Sequence, residues 1–381
     1  MTETVDVTNP QTANIAPIEE IIAEAQKGRM FILVDAETRE NEGDLIIPAS
    51  AATADAINFM AKYGRGLICL ALTGERAKAL ELDYMVRHNQ ARNQTAFTVS
   101  IEAREGISTG ISAHDRAHTI QMAINDEKGP NDLVSPGHVF PLIARDGGVL
   151  VRAGHTEAAV DIARLAGQTP AGVICEIMND DGTMARLPEL ITFAKQHGLK
   201  IGTIADLIAY RHTHDRLIYK ASEHTIDSPF GGTFTCHIFH SKLDDVEHIA
   251  LTKGDISGTD PVLVRMHGCN LLKDMLSLGT DLSGAEMIKK SMQVIAKAEK
   301  GALILVRHGE KNALSSHLAE LQETNSSDKQ NKSNKLLEYG LGAQILSSLG
   351  LKKIILLSNS TLPQIVGLDK FDLEIVGQQP L

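Results

Sequence analysis

The chain has 381 residues, 43% of them hydrophobic, which is enough for two or three domains with cores of their own. Its net charge of -11 argues against non-specific binding to nucleic acid or to an anionic membrane surface. With 4% aromatics and no Trp, a stacking platform for single strands is not expected either. Four cysteines, Cys69, Cys175, Cys236 and Cys269, lie far apart with no C-x-x-C pair, so neither a disulfide framework nor a zinc knuckle is indicated. The polar residues before Ile18 have no basic, apolar leader, and no apolar run reaches the ~18 residues that cross a bilayer. The expectation is a cytoplasmic protein with no nucleic-acid or membrane partner.

Residues 1–16 read as a loose arm. Pro17 opens a helix with Ile18, Ile21, Ile22 and Ala25 on one face, and Gly28 stops it. Met30–Val34 is an apolar strand, and Leu45–Ile47 is a second. Between them stands Arg39-Glu40-Asn41-Glu42-Gly43-Asp44. It is either a solvated acidic loop or a place where carboxylates hold a cation and act as bases, with Arg39 as counter-charge. Thr53 caps a helix that ends at Gly64; Leu67–Leu72 is a strand, and Thr73–Leu82 a helix. Ala96–Ile101 alternates as a half-buried strand. Ser108 to Arg116 leads into a helix through Ile120 and reads as an N-cap rather than an anion site.

Pro136-Gly137-His138 precedes a strand from Val139 to Ala144. Arg152-Ala153-Gly154-His155-Thr156 is expected to follow a strand and open a helix from Glu157 to Ala166, with Thr156 as cap and Arg152 placed to fork onto a phosphate. Ala171–Ile177 is an apolar strand in which Glu176 must be paired or functional, because burying a lone carboxylate is costly. A turn or second acidic loop at Asn179–Thr183, a helix to His197, a strand from Lys200 and a short helix to Arg211 complete the first domain. The lack of a clean βαβ rhythm points to an α+β, or complex α/β, domain over residues 1–211, followed by a polar break from His212. In a second α/β domain over 222–381, strands are expected at Thr233–His240, within Asp244–Thr252, at Val262–His267, Ala302–Val306 and Ile354–Ser358. Helices are expected at Ala285–Lys300 and Leu336–Leu349, and residues 321–335 read as a polar loop.

Five ordered motifs carry a resemblance across residues 18–211. They are Arg39 to Asp44; Thr109-Gly110-Ile111-Ser112 with Asp115-Arg116; Pro136 to Leu142; Gly154-His155-Thr156-Glu157-Ala158; and Pro170 to Val173 with Glu176. This part resembles 3,4-dihydroxy-2-butanone 4-phosphate synthase, except that Ser135 stands where that family usually has an arginine. The resemblance implies conversion of D-ribulose 5-phosphate to L-3,4-dihydroxy-2-butanone 4-phosphate and formate in riboflavin biosynthesis, by a homodimer that needs Mg2+ or Mn2+. It implies Glu40 and His155 as metal contacts. Arg39, Glu40, Asp44, Arg152, Ala153, Gly154, His155, Thr156 and Glu176 are implied as substrate contacts, with His138 and Glu176 catalytic. The residue types suit the chemistry. A cation on neighbouring oxygens of a ketose acidifies the C–H between them, and repeated proton movement needs imidazole and carboxylate groups.

The second domain resembles GTP cyclohydrolase II in Leu243 to Leu251 and Tyr339 to Leu346. That family holds zinc with three cysteines; here Asn270, Asp281 and Ser283 stand at those places, and Cys269 is one position off. The family's catalytic segment corresponds to Arg307 to Ala313. No zinc and no cyclohydrolase activity are expected in this domain. A bifunctional enzyme, or a regulatory or oligomerisation module, is the alternative.

Overall fold

The structure is a computed structural model that describes residues 14–242, 245–277, 284–307, 314, 340–359 and 371–381. The chain divides into two compact units, Met1–Tyr210 and Arg211–Leu381.

The first unit is built on a mixed sheet of seven strands: β1 (Phe31–Val34), β2 (Gly43–Pro48), β3 (Cys69–Leu72), β4 (Ile101–Ala103), β5 (Leu133–Ile143), β6 (Ala171–Glu176) and β7 (Ile201–Thr203). Their spatial order is β4-β5-β3-β6-β2-β1-β7. β6 runs antiparallel to both β2 and β3, while β3 and β5 are parallel. Side-chain alternation sends Leu45, Ile47, Leu70, Val173 and Cys175 to one face. There they meet α2 (Ala54–Phe59), α4 (Ala113–Ile124) and α6 (Leu187–His197). Leu33, Ile46, Cys69, Leu142 and Ile174 point to the other face, covered by α1 (Ile18–Gln26) and α5 (His155–Leu165). α3 (Gly74–Ala79) follows β3 in the chain, and α7 is Ile204–His214. Thr53, Thr73 and Ser112 accept from backbone N–H groups at the starts of α2, α3 and α4, each cap contributing about 1 kcal/mol.

Several expectations change. Gly43 and Asp44 belong to β2, not to the loop before it, because they pair with Val34 and Leu33. Ala96–Ile101 is not a ladder: Phe97 and Thr98 make single bridges and the strand starts at Ile101. β5 begins at Leu133, since Pro136 and Gly137 sit in an irregularity that interrupts pairing without ending the strand. α5 follows a one-turn helix, Gly148–Leu150, rather than a strand. It starts at His155 with Gly154 as N-cap, so Thr156 lies inside the first turn and is not the cap. His212–His214 continue α7 instead of forming a polar break.

The second unit is a second seven-stranded sheet: β8 (Ile218–Ser228), β9 (Gly232–Ser241), β10 (Glu247–Lys253), β11 (Val262–Gly268), β12 (Gly301–Val306), β13 (Lys353–Leu357) and β14 (Glu374–Gln379). Its order is β14-β13-β11-β12-β10-β9-β8, with β11 parallel to β12 and β13. α8 (Leu271–Leu276) and α9 (Gly284–Ala298) connect β11 to β12, and residues 340–348 are helical. Phe234, Leu251, Met292, Ile295, Leu303 and Leu357 form its core. β8, α8 and β14 were not expected from the sequence. β8 and β14 are largely exposed edge strands, so no strong apolar pattern marks them. The expected segments at 243–244, 308–313, 321–335 and 336–339, and the positions of Asp281 and Ser283, lie outside the described residues.

Candidate active site

The site assembles at one end of the first sheet, on the face covered by α5. Register makes the argument. Asp44 on β2 stands opposite Glu176 on β6 and opposite Leu33 on β1. Cys69 pairs with Ile174 and with Phe140; two residues before Cys69, Leu67 is therefore level with Glu176 and with His138. The Leu67 N–H donates to Glu176 Oε2 at 2.8 Å, a backbone-to-side-chain bond made where the pairing slips by one residue toward the Arg65–Ile177 bridge. His138, Glu176 and Asp44 thus form a row across β5, β6 and β2. They share side-chain parity with Phe140, Ile174 and Ile46, which pack toward α5. Strands ~4.8 Å apart put His138 about 10 Å from Glu176 across β3.

His155, the first residue of α5, meets this row. Its Nε2 lies 3.2 Å from the Leu33 carbonyl oxygen, and its Nδ1 lies 3.7 Å from Asp44 Oδ1 and 4.0 Å from Glu40 Oε2. Burial pushes the imidazole down from 6.5 to about 4, so the neutral ring donates from Nε2 to Leu33 and leaves the Nδ1 lone pair facing the carboxylates. Asp44 is 3% exposed, and its Oδ1 has no hydrogen-bond partner. Burial first, and then Glu176 and Glu40, raise its carboxyl well above the ordinary range. A cation at the gap between Nδ1, Asp44 Oδ1 and Glu40 Oε2 would give the unpartnered Asp44 oxygen a partner, while Glu40 Oε2 is also paired with Arg39. Donors on one Mg2+ sit ~2.1 Å from it, hence up to ~4.2 Å from each other, and the two separations from Nδ1 fall inside that limit. Among the described residues no set of three His, Cys, Asp or Glu is gathered at ligand distance.

The acidic loop is held from beneath by Asp35, which sequence reasoning did not single out. Asp35 Oδ2 accepts from Arg39 Nη1 at 2.9 Å and from the Glu40 N–H at 3.0 Å, while Oδ1 accepts from the Glu42 N–H at 2.9 Å. The only local hint was its place four residues before Arg39. Arg39 also pairs with Glu40 Oε2, Asn93 donates to Glu40 Oε1, and Arg186 donates to the Glu40 carbonyl at 2.9 Å. Asn93 and Arg186 arrive from far along the chain and left no sequence signal.

The entrance of α5 differs from expectation in one respect. Arg152 does not stand open for a phosphate: Nη1 donates to Glu157 Oε2 at 2.7 Å, and Nη2 to the Asn93 carbonyl at 3.0 Å. Gly154 lies so close to both guanidiniums that a Cβ there would overlap Arg152 Nη1 and sit 3.0 Å from Arg39 Nη2. The two cations therefore converge over the start of α5, where first-turn N–H groups and the helix dipole favour an anion. Ala153 is exposed at this entrance, and Thr156 is buried within it. Glu102, also unremarked in the sequence, hydrogen-bonds His138 Nδ1.

A row of carboxylates and imidazoles beside converging arginines defines an acid–base site for a small anionic substrate. Comparison with known proteins narrows the class. Residues 19–210 match the family described as 3,4-dihydroxy-2-butanone 4-phosphate synthase, and residues 219–380 match GTP cyclohydrolase II. Riboflavin biosynthesis protein RibBA of Aquifex aeolicus is 48% identical over 376 residues, covering 96% of this chain and 92% of that protein. The 3,4-dihydroxy-2-butanone 4-phosphate synthase of Pseudomonas syringae is 46% identical over 366 residues, covering 95% and 98%. Among solved structures, RibBX, a two-domain 3,4-dihydroxy-2-butanone 4-phosphate synthase from A. baumannii, is 40% identical with a TM-score of 0.77, covering 96% of this chain and 99% of that one. A 3,4-dihydroxy-2-butanone 4-phosphate synthase in complex with two magnesium ions is 42% identical with a TM-score of 0.51, covering 52% and 98%. The chain belongs to the 3,4-dihydroxy-2-butanone 4-phosphate synthase family, joined to a second region of the GTP cyclohydrolase II family.

Proposed function

We propose that the chain converts D-ribulose 5-phosphate to L-3,4-dihydroxy-2-butanone 4-phosphate and formate, with Mg2+ or Mn2+ held by Glu40 and His155. The observation that carries this reading is the gap bounded by His155 Nδ1, Glu40 Oε2 and the unpartnered Asp44 Oδ1. The magnesium-bound relative supports a divalent cation. When bound, such a cation polarises neighbouring oxygens of the ketose and makes the C–H between them acidic.

The remaining steps fall to the chain's own groups. The α5 entrance takes the phosphate through the N–H groups at Gly154 to Thr156, with Ala153 at its rim and Arg39 and Arg152 beside it, Arg152 staying bound to Glu157 and Asn93. Asp44 accepts from a substrate hydroxyl. Glu176, fixed by the Leu67 N–H, and His138 move protons, each step worth about 10²–10⁴-fold. Substrate atoms divide between product and formate with no net water and no external oxidant. The proposed assembly is a homodimer. Four free cysteines support a reducing cytoplasm, and no helix among the described residues is long and apolar enough to cross a membrane.

We propose further that the second unit does not hydrolyse GTP. Asn270 Oδ1 accepts from the Leu272 and Lys273 N–H groups, so it serves as the cap of α8. One assay tests both statements: formate release from ribulose 5-phosphate with Mg2+ and from GTP with Zn2+, on wild type and Glu40→Ala. Formate from the pentulose alone, lost in the variant, is expected. Formate from GTP overturns the reading of the second unit, and none from either substrate overturns the synthase reading.

A further inference from the structure

We propose that Glu102 is a positioning residue that holds His138 by Nδ1 and thereby reserves Nε2 for proton transfer; this rests on the proton-transfer role proposed above for His138. The β4–β5 ladder is irregular at this point. Ile101 pairs with Val139, but the next residue, Glu102, pairs with Val134. Residues 135–138 therefore have no partner on β4 and form a wide irregularity that re-aims the His138 side chain.

Three contacts fix that irregularity. The Gly137 N–H donates to Ser100 Oγ at 3.1 Å. A Cβ on Gly137 would overlap the Ile101 carbonyl group, so β4 is pressed directly against the displaced backbone. On the far side, Gly110, at φ +87°, lies where a Cβ would overlap the Glu102 carboxylate. Glu102 is thus wedged between the Gly110 main chain and the His138 ring. Its side chain is 15% exposed against 44% for His138, so the carboxylate is fixed and the outer edge of the imidazole is open.

A carboxylate oxygen accepts, so in the neutral ring Nδ1 carries the proton and Nε2 keeps the lone pair. Among the other charged groups nearby, Arg116 of α4 has a buried Nε with no hydrogen-bond partner. On α4, which packs on β4 and β5, Asp115 accepts from Ser108 and Gly110, and His118 contacts the Glu105 carbonyl. Glu176, level with His138 on β6, accepts from the Leu67 N–H.

The test joins spectroscopy and kinetics. In 15N-histidine-labelled wild type, long-range 1H–15N spectra are expected to show His138 protonated at Nδ1; an Nε2–H tautomer overturns the proposal with no variant needed. Glu102→Gln is expected to lose that single tautomer and to lower kcat ten- to a hundredfold, with KM and Mn2+ affinity unchanged. In a His138→Asn background, Glu102→Gln is expected to add nothing, because it acts through the ring. An inactive His138→Asn enzyme beside a fully active Glu102→Gln enzyme overturns the positioning role alone. A fully active His138→Asn enzyme overturns the catalytic reading of His138, and this proposal with it.

Discussion

Acid should destabilise the metal-free protein through His155, and the size of the effect can be worked out. The ring is 5% exposed, and burial lowers it from 6.5 to about 4. Between those values the unfolded chain takes up a proton that the folded protein refuses, so stability is fully present above pH ~6.5 and falls as pH drops toward 4. At about 1.4 kcal/mol per unit, the full term is roughly 3 kcal/mol, with about 2 kcal/mol already lost at pH 5. Against a typical stability of ~5–15 kcal/mol that is a readily measured fraction. The assay is urea unfolding in EDTA from pH 4 to pH 8, on wild type and on His155→Gln, which has no titrating ring. The wild-type curve is expected to drop away from the variant's by about 2 kcal/mol between pH 7 and pH 5. Parallel curves would refute the argument, because they would mean that the folded protein accepts the proton as readily as the unfolded chain.

The other predictions concern the same site and its surroundings. Glu40→Gln should weaken Mn2+ binding at least ~10-fold, read by EPR of the free ion, and abolish formate release; unchanged Mn2+ affinity removes Glu40 from the ligand set. Arg152→Ala leaves the buried Glu157 carboxylate, 1% exposed, without its ion partner. That should cost ~3 kcal/mol and lower the melting temperature by roughly 6–12 °C, whereas a shift under ~2 °C would show that Glu157 does not need the arginine. Burial pushes the Cys175 thiol up to about 12 and raises Cys69 as well. A thiol reagent at pH 8 should therefore modify Cys236 and Cys269, which are half-buried, well before Cys69 and Cys175. Early loss of either buried thiol contradicts the packing around the sheet.

Much of this site was legible because its parts are local. Arg39 to Asp44 and Arg152 to Thr156 are continuous segments at element boundaries, and charge next to an apolar strand or a helix start shows in the sequence itself. Glu176 stood out as a carboxylate in an otherwise apolar strand. Boundaries were less legible where a breaker residue did not break: Pro136 and Gly137 read as the approach to a strand, yet β5 runs through them as an irregularity. Thr156 read as a cap by residue type, but the helix starts at His155 with Gly154 as N-cap, a position where the nearby guanidiniums leave no room for a side chain.

By itself, then, the sequence determined the apolar runs, the helix faces, the acidic loop and the ordered motifs, since each depends on neighbours a few residues apart. The tertiary structure decided which of these meet. Asp44, Glu176 and His138 form a row only because β6 inserts between β2 and β3, and β5 lies beyond β3, an order that chain sequence does not dictate. The supports Asp35, Asn93, Arg186 and Glu102 became visible the same way, through hydrogen bonds, three of them to segments well away along the chain. The lowered imidazole of His155 and the raised carboxyl of Asp44 belong to that level too: both follow from removing water around the groups, and only packing of α5 onto the sheet does that.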